Sequence, residues 1–226
     1  MVILQPSKLG TELMAKKAGN STEVKQRIFN ATLDIIKEKG MRGVRHRAVA
    51  ERANVSLGST TYHFKNIEDL ISSTFMFWHD KTDVGKNPYF NLIQQDVMAM
   101  ASGELSNKQL AEKIFDDSEK YLRDQIFEGR DNRLIELSFH NEALRNKQLA
   151  TLMLNTLAKE AERLAQLYQT LGTADPISDG EITLALILQL EKKALLINDK
   201  DQQLGEYEKM KSILKRHIFL TAGIQA

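Results

Sequence analysis

Apolar residues recur along this chain at intervals of three and four, the spacing that places side chains on one face of an α-helix. The first such stripe predicts a helix that begins at Ser21 or Thr22 and ends at Gly40; its apolar members are Val24, Ile28, Phe29, Ala31, Leu33, Ile35 and Ile36. Residues 1–20 have no helical period and contain glycine, proline and paired lysines, so we expect a flexible basic arm there.

From Ile67 onward, segments with helical spacing of apolar residues are separated by helix-breaking Gly, Pro and Asn residues. No segment shows the alternation of apolar and polar residues that is typical of a β-strand. The pattern therefore predicts an all-α chain. The expected helices are roughly 67–84, 88–102, 107–128, 131–143, 146–171, 179–198 and 203–222.

The length and composition fit one small and one larger domain, because 226 residues with 42% hydrophobic content can fill a substantial core. The absence of cysteine excludes a disulfide framework, a cysteine-based zinc site and a cysteine nucleophile. No apolar run is long enough to span a membrane, and the first residues do not read as a signal peptide. We expect a soluble, cytoplasmic protein.

Charge is unevenly distributed, although the net charge is only +1. Residues 1–80 hold 12 Lys or Arg and 8 Asp or Glu, a net +4, whereas residues 81–226 hold 19 and 22, a net −3. Within residues 8–65 the balance is 12 bases against 5 acids, or +7. Such a segment suits a phosphate backbone, and an ordinary solvated basic face is the alternative.

Two short helices follow the first one. Residues 47–53 place Val49, Ala50 and Ala53 on one side, and Asn54, which tolerates the left-handed conformation, then turns the chain. Ser56 can cap the next helix, 57–63, whose small and β-branched residues are poor helix formers. This arrangement is typical of a helix-turn-helix, whose second helix is better suited to contact than to self-stabilisation.

Residues 49–70, VAERANVSLGSTTYHFKNIEDL, resemble the signature of TetR-family transcriptional regulators. The shared elements are a Val-Ala pair, a Val-Ser turn, a glycine in the second short helix, an aromatic-His-Phe ending and an acidic-Leu start to the following helix. The sequence departs from the family pattern at Asn54 and at Thr61, where glycine and an aromatic residue are more usual. The resemblance implies a helix-turn-helix DNA-binding domain over 21–66 and a larger helical effector-binding and dimerisation domain over 67–226.

In a helix-turn-helix the second helix enters the major groove, and its N-terminal residues meet base edges. Ser59 and Thr61 have hydroxyls that can reach a base, Leu57 suits a thymine methyl group, and Gly58 permits close approach of the backbone. The resemblance implies phosphate contacts for Tyr62, His63 and Lys65, and base or phosphate contacts for Arg47 with Arg45 and His46 beside it. Together with the capping residue, the expected DNA-binding residues are Arg45, His46, Arg47, Ser56, Leu57, Gly58, Ser59, Thr61, Tyr62, His63 and Lys65. For Tyr62, packing against the first helix is the alternative.

The apolar stripes of helices 146–171 and 179–198 suit a four-helix seam between two copies, and the family dimerises in this region. An ordinary intrachain core is the alternative for the same stripes. A homodimer explains how one small DNA-binding domain achieves affinity for an operator. Its two copies bind two operator half-sites together, about 34 to 36 Å or a multiple of that spacing apart.

The resemblance to the TetR family implies an effector pocket among the C-terminal helices, and the aromatic and apolar residues there favour a small, largely apolar molecule. Its expected members are Phe75, Trp78, Phe115, Tyr121, Phe139, His140 and Met153, and Glu136 joins Tyr121 and His140 as a possible polar contact. Core packing is the alternative for each of them.

These observations predict a sequence-specific transcriptional regulator, most simply a repressor that a ligand releases from a palindromic operator. Two other classes stay open: a helical enzyme or metal-binding protein, and an architectural or assembly DNA-binding factor without an effector. We expect no catalytic residues, metal or cofactor, because no carboxylate pair, Ser/His/Asp set, His-based metal spacing or phosphate-binding glycine loop stands out. Activation instead of repression depends on promoter geometry and stays open too.

Overall fold

The computed structural model describes residues 8–82 and 88–224 of the chain. Over those residues it contains ten α-helices, one short 3₁₀ turn at Met41–Gly43 and no strand. The helices are α1 Lys8–Lys39, α2 His46–Arg52, α3 Leu57–His63, α4 Ile67–Thr82, α5 Pro88–Ala101, α6 Asn107–Phe127, α7 Arg130–Ala143, α8 Lys147–Leu171, α9 Pro176–Leu195 and α10 Lys200–Thr221.

The predicted all-α class is confirmed, and the helices from α4 onward lie close to the bounds that the sequence pattern indicates. Local capping explains why several of the starts are sharp. Ser106 and Gln109 form a reciprocal capping box at α6, while Asn146, Asp175 and Asp199 each accept a backbone N–H at the start of α8, α9 and α10.

The beginning of the first helix differs from the expectation. The sequence predicts a start at Ser21 or Thr22 after an irregular arm, whereas α1 begins at Lys8, so residues 8–20 are helical. The segment is rich in Leu, Met, Ala and Lys, which favour helix strongly enough to continue it through isolated glycines. Residues 1–7 of the expected arm lie outside the described residues.

The chain divides into two compact units, Met1–Phe77 and Trp78–Ala226, and the division falls inside α4. In the first unit, Phe64 after α3 is buried together with apolar residues of α1, α2 and α4; they include Ile28, Ala31, Ile35, Ile36, Val49, Ala50, Leu70 and Ile71. The ring of Phe29 lies 5.6 Å from that of Phe64 and 4.8 Å from that of Phe77, measured between centroids.

The second unit has a core drawn from α5, α6, α8, α9 and α10. Its buried residues include Leu110, Leu122, Leu171, Met210 and Leu214. None of the helices in the described part of the chain is both long and apolar enough to cross a bilayer.

Helix α9 lies close against the backbone of α8 at Gly180. A Cβ atom built on Gly180 would lie 2.7 Å from both the Ala161 carbonyl oxygen and the Ala165 amide nitrogen. These are backbone atoms, so no flexible side chain can move aside. Gly180 therefore sets how closely the two helices pack.

Gly180→Ala is expected to lower the free energy of unfolding by about 1 to 3 kcal/mol, because the added methyl forces the two backbones apart. Gly205→Ala on α10 is the matched control, since a Cβ there meets no atom of the described residues within 4 Å. Removing an exposed helical glycine should leave stability unchanged or raise it by up to about 1 kcal/mol. Urea unfolding of both variants tests this, and equal effects would contradict the close packing.

Candidate nucleic-acid interface

The turn between α2 and α3 depends on a left-handed residue. Asn54 has φ of +52°, and around it the amides of Asn54 and Val55 donate to the carbonyls of Glu51 and Ala50, at 3.1 and 3.0 Å. This pairing closes the end of α2 in the manner of a Schellman motif. Asn is one of the few residues with a side chain that enter this conformation at modest cost, as predicted for this position.

A residue of α1 holds the same turn from outside. The Arg27 guanidinium donates to the carbonyl oxygens of Ala53 and Asn54, each at 2.6 Å. Sequence reasoning does not identify this contact, because the partners are main-chain atoms more than twenty residues away. The turn is therefore fixed by α1 as well as by its own hydrogen bonds.

Helix α3 begins at a side-chain cap. Ser56 Oγ accepts from the Ser59 amide at 3.1 Å, and the two serine hydroxyls lie 2.9 Å apart. On the inner side Thr60 is fully buried and donates to the Leu57 carbonyl at 2.8 Å. This internal bonding compensates for the poor helix propensity of the segment.

The outward side of α3 presents four exposed residues: Leu57, Gly58, Thr61 and Tyr62. Their spacing of one and four places them on one face, which we call the α3 face. Tyr62 has 85% of its surface exposed, so its ring is not packed against α1, the alternative considered from sequence. Among the described residues, a Cβ on Gly58 would meet only Ser56 Oγ, at 3.7 Å, so their packing does not require glycine there.

Exposed basic residues precede and follow α3 in the sequence. Arg45 and Arg47 are exposed at the start of α2, and Lys65 is exposed just after α3. His46 is only half-exposed, and its Nδ1 is buried without a hydrogen-bond partner among the described residues. The arginines are thus better placed than His46 to reach a ligand.

Residues 28–74, which include α2, α3 and the turn between them, match the model for bacterial regulatory proteins of the tetR family. The N-terminal unit is a TetR-family domain. The resemblance predicted from residues 49–70 is thereby confirmed.

Solved structures extend the TetR likeness to the fold of most of the chain. A transcriptional regulator from Rhodococcus sp. Rha1 is 18% identical with a TM-score of 0.65, over 88% of this chain and 96% of that one. A TetR-family regulator from Mesorhizobium loti MAFF303099 is 12% identical with a TM-score of 0.64, over 90% and 96%. The multidrug binding protein EbrR complexed with ethidium is 22% identical with a TM-score of 0.62, over 86% and 97%. No curated protein sequence matches the chain.

Other side chains of the TetR-family domain are held in place by their neighbours. Burial and the nearby Lys25 lower the pKa of His63, so its imidazole is neutral at pH 7 and offers a single N–H donor. Thr61 Oγ1 donates to the carbonyls of Leu57 and Gly58, at 3.3 and 3.2 Å. Both terminal nitrogens of Arg52 donate to the Glu38 carboxylate, at 2.8 and 2.7 Å, in an exposed ion pair.

The residues predicted to line an effector pocket are distributed over both units. Phe75 is buried in the TetR-family unit, and the other six lie in the second unit. There the rings of Trp78 and Phe139 lie 5.8 Å apart, while Phe115 belongs to the core and faces Phe219 at 6.5 Å. Met153 is buried too. The predicted pocket as a whole stays a prediction.

Sequence reasoning identifies Glu136 as a possible polar contact, but it misses the group of charges to which Glu136 belongs in the second unit. Arg133 on α7 lies between Glu136 and Glu191 and pairs with both. Glu160 on α8 belongs to the same electrostatic neighbourhood. One feature of the sequence could have revealed this group. Glu191 is an acidic residue on the buried face of α9, together with Thr183, Leu190 and Ala194, and a buried acid normally has a partner.

Asn54→Val should destabilise the TetR-family unit by about 1 to 2 kcal/mol, because a β-branched residue is strained at positive φ. Asn54→Gly is the matched control and should change stability by less than about 1 kcal/mol, since glycine adopts this conformation without strain. Thermal unfolding followed by circular dichroism distinguishes the two. A Val variant as stable as the Gly variant would contradict the strained turn.

Proposed function

We propose that the chain is a sequence-specific DNA-binding transcriptional regulator, acting as a homodimer that represses from a palindromic operator. The observation that carries the proposal is the α3 face, where exposed Tyr62 and a sterically unconstrained Gly58 stand beside exposed Arg45, Arg47 and Lys65. Exposed aromatic and basic side chains at the second helix of a helix-turn-helix suit phosphate and base contact. The local excess of positive charge in residues 8–65 supports it as well.

Roles within the interface follow from the hydrogen bonds already made. Because Thr61 donates its hydroxyl proton within its own helix, it offers DNA an acceptor and a methyl group. Ser59 shares a hydroxyl contact with Ser56, so the pair can donate or accept. Tyr62, His63 and Lys65 contribute donors to phosphates, and Arg47 with Arg45 approaches a base edge or phosphate with a bidentate group.

The homodimer is supported by apolar residues left exposed on α8 and α9. Leu154 is 66% exposed and Ile182 is 54% exposed, on the two helices whose stripes suit a seam between copies. A second copy would cover these residues and would place two helix-turn-helix domains on one operator.

A small-molecule effector bound in the second unit would regulate DNA binding. Structures of EbrR with imidazole, ethidium and malachite green show that a chain of this fold accommodates small molecules of that kind. Ligand binding would favour a conformation that misfits the operator, and the coupling would be reciprocal. Ligand should then weaken DNA binding by the same factor as DNA weakens ligand binding.

The decisive experiment is selection from a random-sequence duplex pool, followed by salt titration of the selected duplex. A palindrome should be recovered. Lys65→Ala should reduce the slope of log affinity against log salt by about one, because one phosphate contact is lost, and Ser59→Ala should relax the sequence preference. Lys108→Ala, which removes an exposed lysine of α6, is the control and should leave the slope unchanged. An empty selection would overturn the proposal.

Gly58→Ala separates recognition from folding. The added methyl has room in the free protein, so the variant should be at least as stable as the wild type. It would intrude where the helix backbone approaches DNA, so operator affinity should fall about tenfold or more. Unchanged operator affinity, measured by fluorescence anisotropy, would place the DNA elsewhere.

Leu154→Asp should shift the chain toward monomer, because it places a charge in the proposed seam. Leu144→Asp is the matched control, since Leu144 is 85% exposed but lies outside both seam helices. Sedimentation equilibrium reads the outcome directly. A Leu154→Asp chain with the same dimer affinity as the control would exclude this seam.

A further inference from the structure

The exposed side of α3 carries methyl groups beside a residue that has no side chain. Leu57 is 44% exposed, and exposed Thr61 follows it by one helical turn, so the two side chains are neighbours on the α3 face. Gly58, next to Leu57, is exposed as well and leaves the α3 backbone open to close approach. We call Leu57 and Thr61 the methyl strip of this face.

Hydrogen bonds within α3 determine what Thr61 offers to a partner molecule. Its hydroxyl donates to the carbonyl oxygens of Leu57 and Gly58, at 3.3 and 3.2 Å. A hydroxyl group has one proton, and here that proton is shared between two carbonyls of the same helix. Thr61 therefore presents its methyl group and an oxygen lone pair, and it does not present a hydrogen-bond donor.

The residue types of α3 limit how this helix can read a base pair. The usual bidentate contacts to guanine and adenine come from Arg, Lys, Asn or Gln, and Leu57–His63 contains none of these residues. The hydroxyls of Ser56 and Ser59 lie 2.9 Å apart and share one of their two protons, so the pair has one proton left to donate. Apolar contact is the mode of recognition that the methyl strip suits, and its target in the major groove is the 5-methyl group of thymine.

The dimensions of the methyl strip fit neighbouring base pairs. The Cβ atoms of helical residues four positions apart are separated by about 5 to 6 Å. Successive bases of one DNA strand rise by about 3.4 Å, so this separation lies between one and two base steps. The TetR-family match and the exposed basic residues Arg45, Arg47 and Lys65 favour DNA as the partner of this face.

We propose that the α3 face recognises thymine through its 5-methyl group, with Leu57 as the main contact and the Thr61 methyl group as the second. The Thr61 oxygen complements this contact, because the adenine paired with thymine presents an N–H donor in the same groove. Removal of the apolar groups from water is the physical basis of the preference. The inference rests on the proposed function, since it names the feature of the operator that α3 reads.

The test replaces the thymines of the selected duplex by deoxyuridine, one position at a time and in both half-sites together. Uracil pairs with adenine as thymine does and lacks only the 5-methyl group. Burial of one methyl group contributes about fourfold, so the substitution of both half-sites should weaken binding of the full chain about tenfold or more at a contacted position. A loss smaller than about threefold at every position would overturn the proposal.

Protein variants assign the methyl effect to the two side chains. Leu57→Ala should lose most of the discrimination between thymine and uracil at the sensitive position, and Thr61→Ser, which keeps the hydroxyl, should reduce it there or at a neighbouring position. Leu144→Ala is the matched control, because Leu144 is 85% exposed after α7 and should leave the discrimination unchanged. Full discrimination by a folded Leu57→Ala chain would overturn the role of Leu57, and full discrimination by Thr61→Ser would overturn that of Thr61.

Methylated cytosine separates the methyl group from the rest of the thymine edge. With a C·G pair placed at the sensitive position of both half-sites, 5-methylation of the cytosine should strengthen binding by the same factor of about tenfold or more. A methyl effect confined to thymine would mean that α3 responds to the other groups of the T·A pair or to the shape of that step. That result would overturn recognition of the methyl group.

Failure of this inference is distinguishable from failure of the proposed function. A chain that selects a palindrome but binds its thymine and uracil forms equally well is a sequence-specific regulator whose α3 does not read methyl groups. A chain that selects no duplex at all overturns the proposed function, and recognition of thymine by α3 is overturned with it.

Discussion

The turn after α2 is the constraint on which the N-terminal unit depends. Asn54 holds a left-handed conformation there, and Arg27 joins the turn to α1 through two carbonyl oxygens. With the direction of α3 fixed by this turn, Thr60 lies on its buried side, and Leu57, Gly58, Thr61 and Tyr62 lie on its exposed side. A helix of poor intrinsic propensity thus keeps its position because its surroundings hold it, which leaves its outer residues free to be selected for contact.

The second unit has a different constraint, because it buries charged side chains in its interior. Arg133, Glu136 and Glu191 form a network that folding alone does not favour, since desolvation of the carboxyls is only partly offset by the guanidinium. The raised pKa values of Glu160 and Glu191 record that cost. Perturbed pKa values occur at functional sites and also in structural ion-pair networks such as this one.

Sequence reasoning recovered the helices, the turn residue and the Ser56 cap, because periodicity, left-handed tolerance and capping are local properties. It missed the early start of α1, where favourable propensity outweighs isolated glycines. It also missed Arg27 and the pairing of Arg133 with Glu191, since both depend on which helices meet in space. For Tyr62, sequence left packing and exposure open, because an aromatic residue at a helix end suits either.

The contact at Gly180 has a mechanical consequence for the second unit. Ordinary helix pairs are separated by a layer of side chains, whose rotamer changes allow one helix to slide past the other by an ångström or two. At Gly180 the α9 backbone meets the α8 backbone directly, so that layer is missing at the crossing. We therefore expect a displacement of α9 at this crossing to be passed directly to the α8 backbone at Ala161 and Ala165.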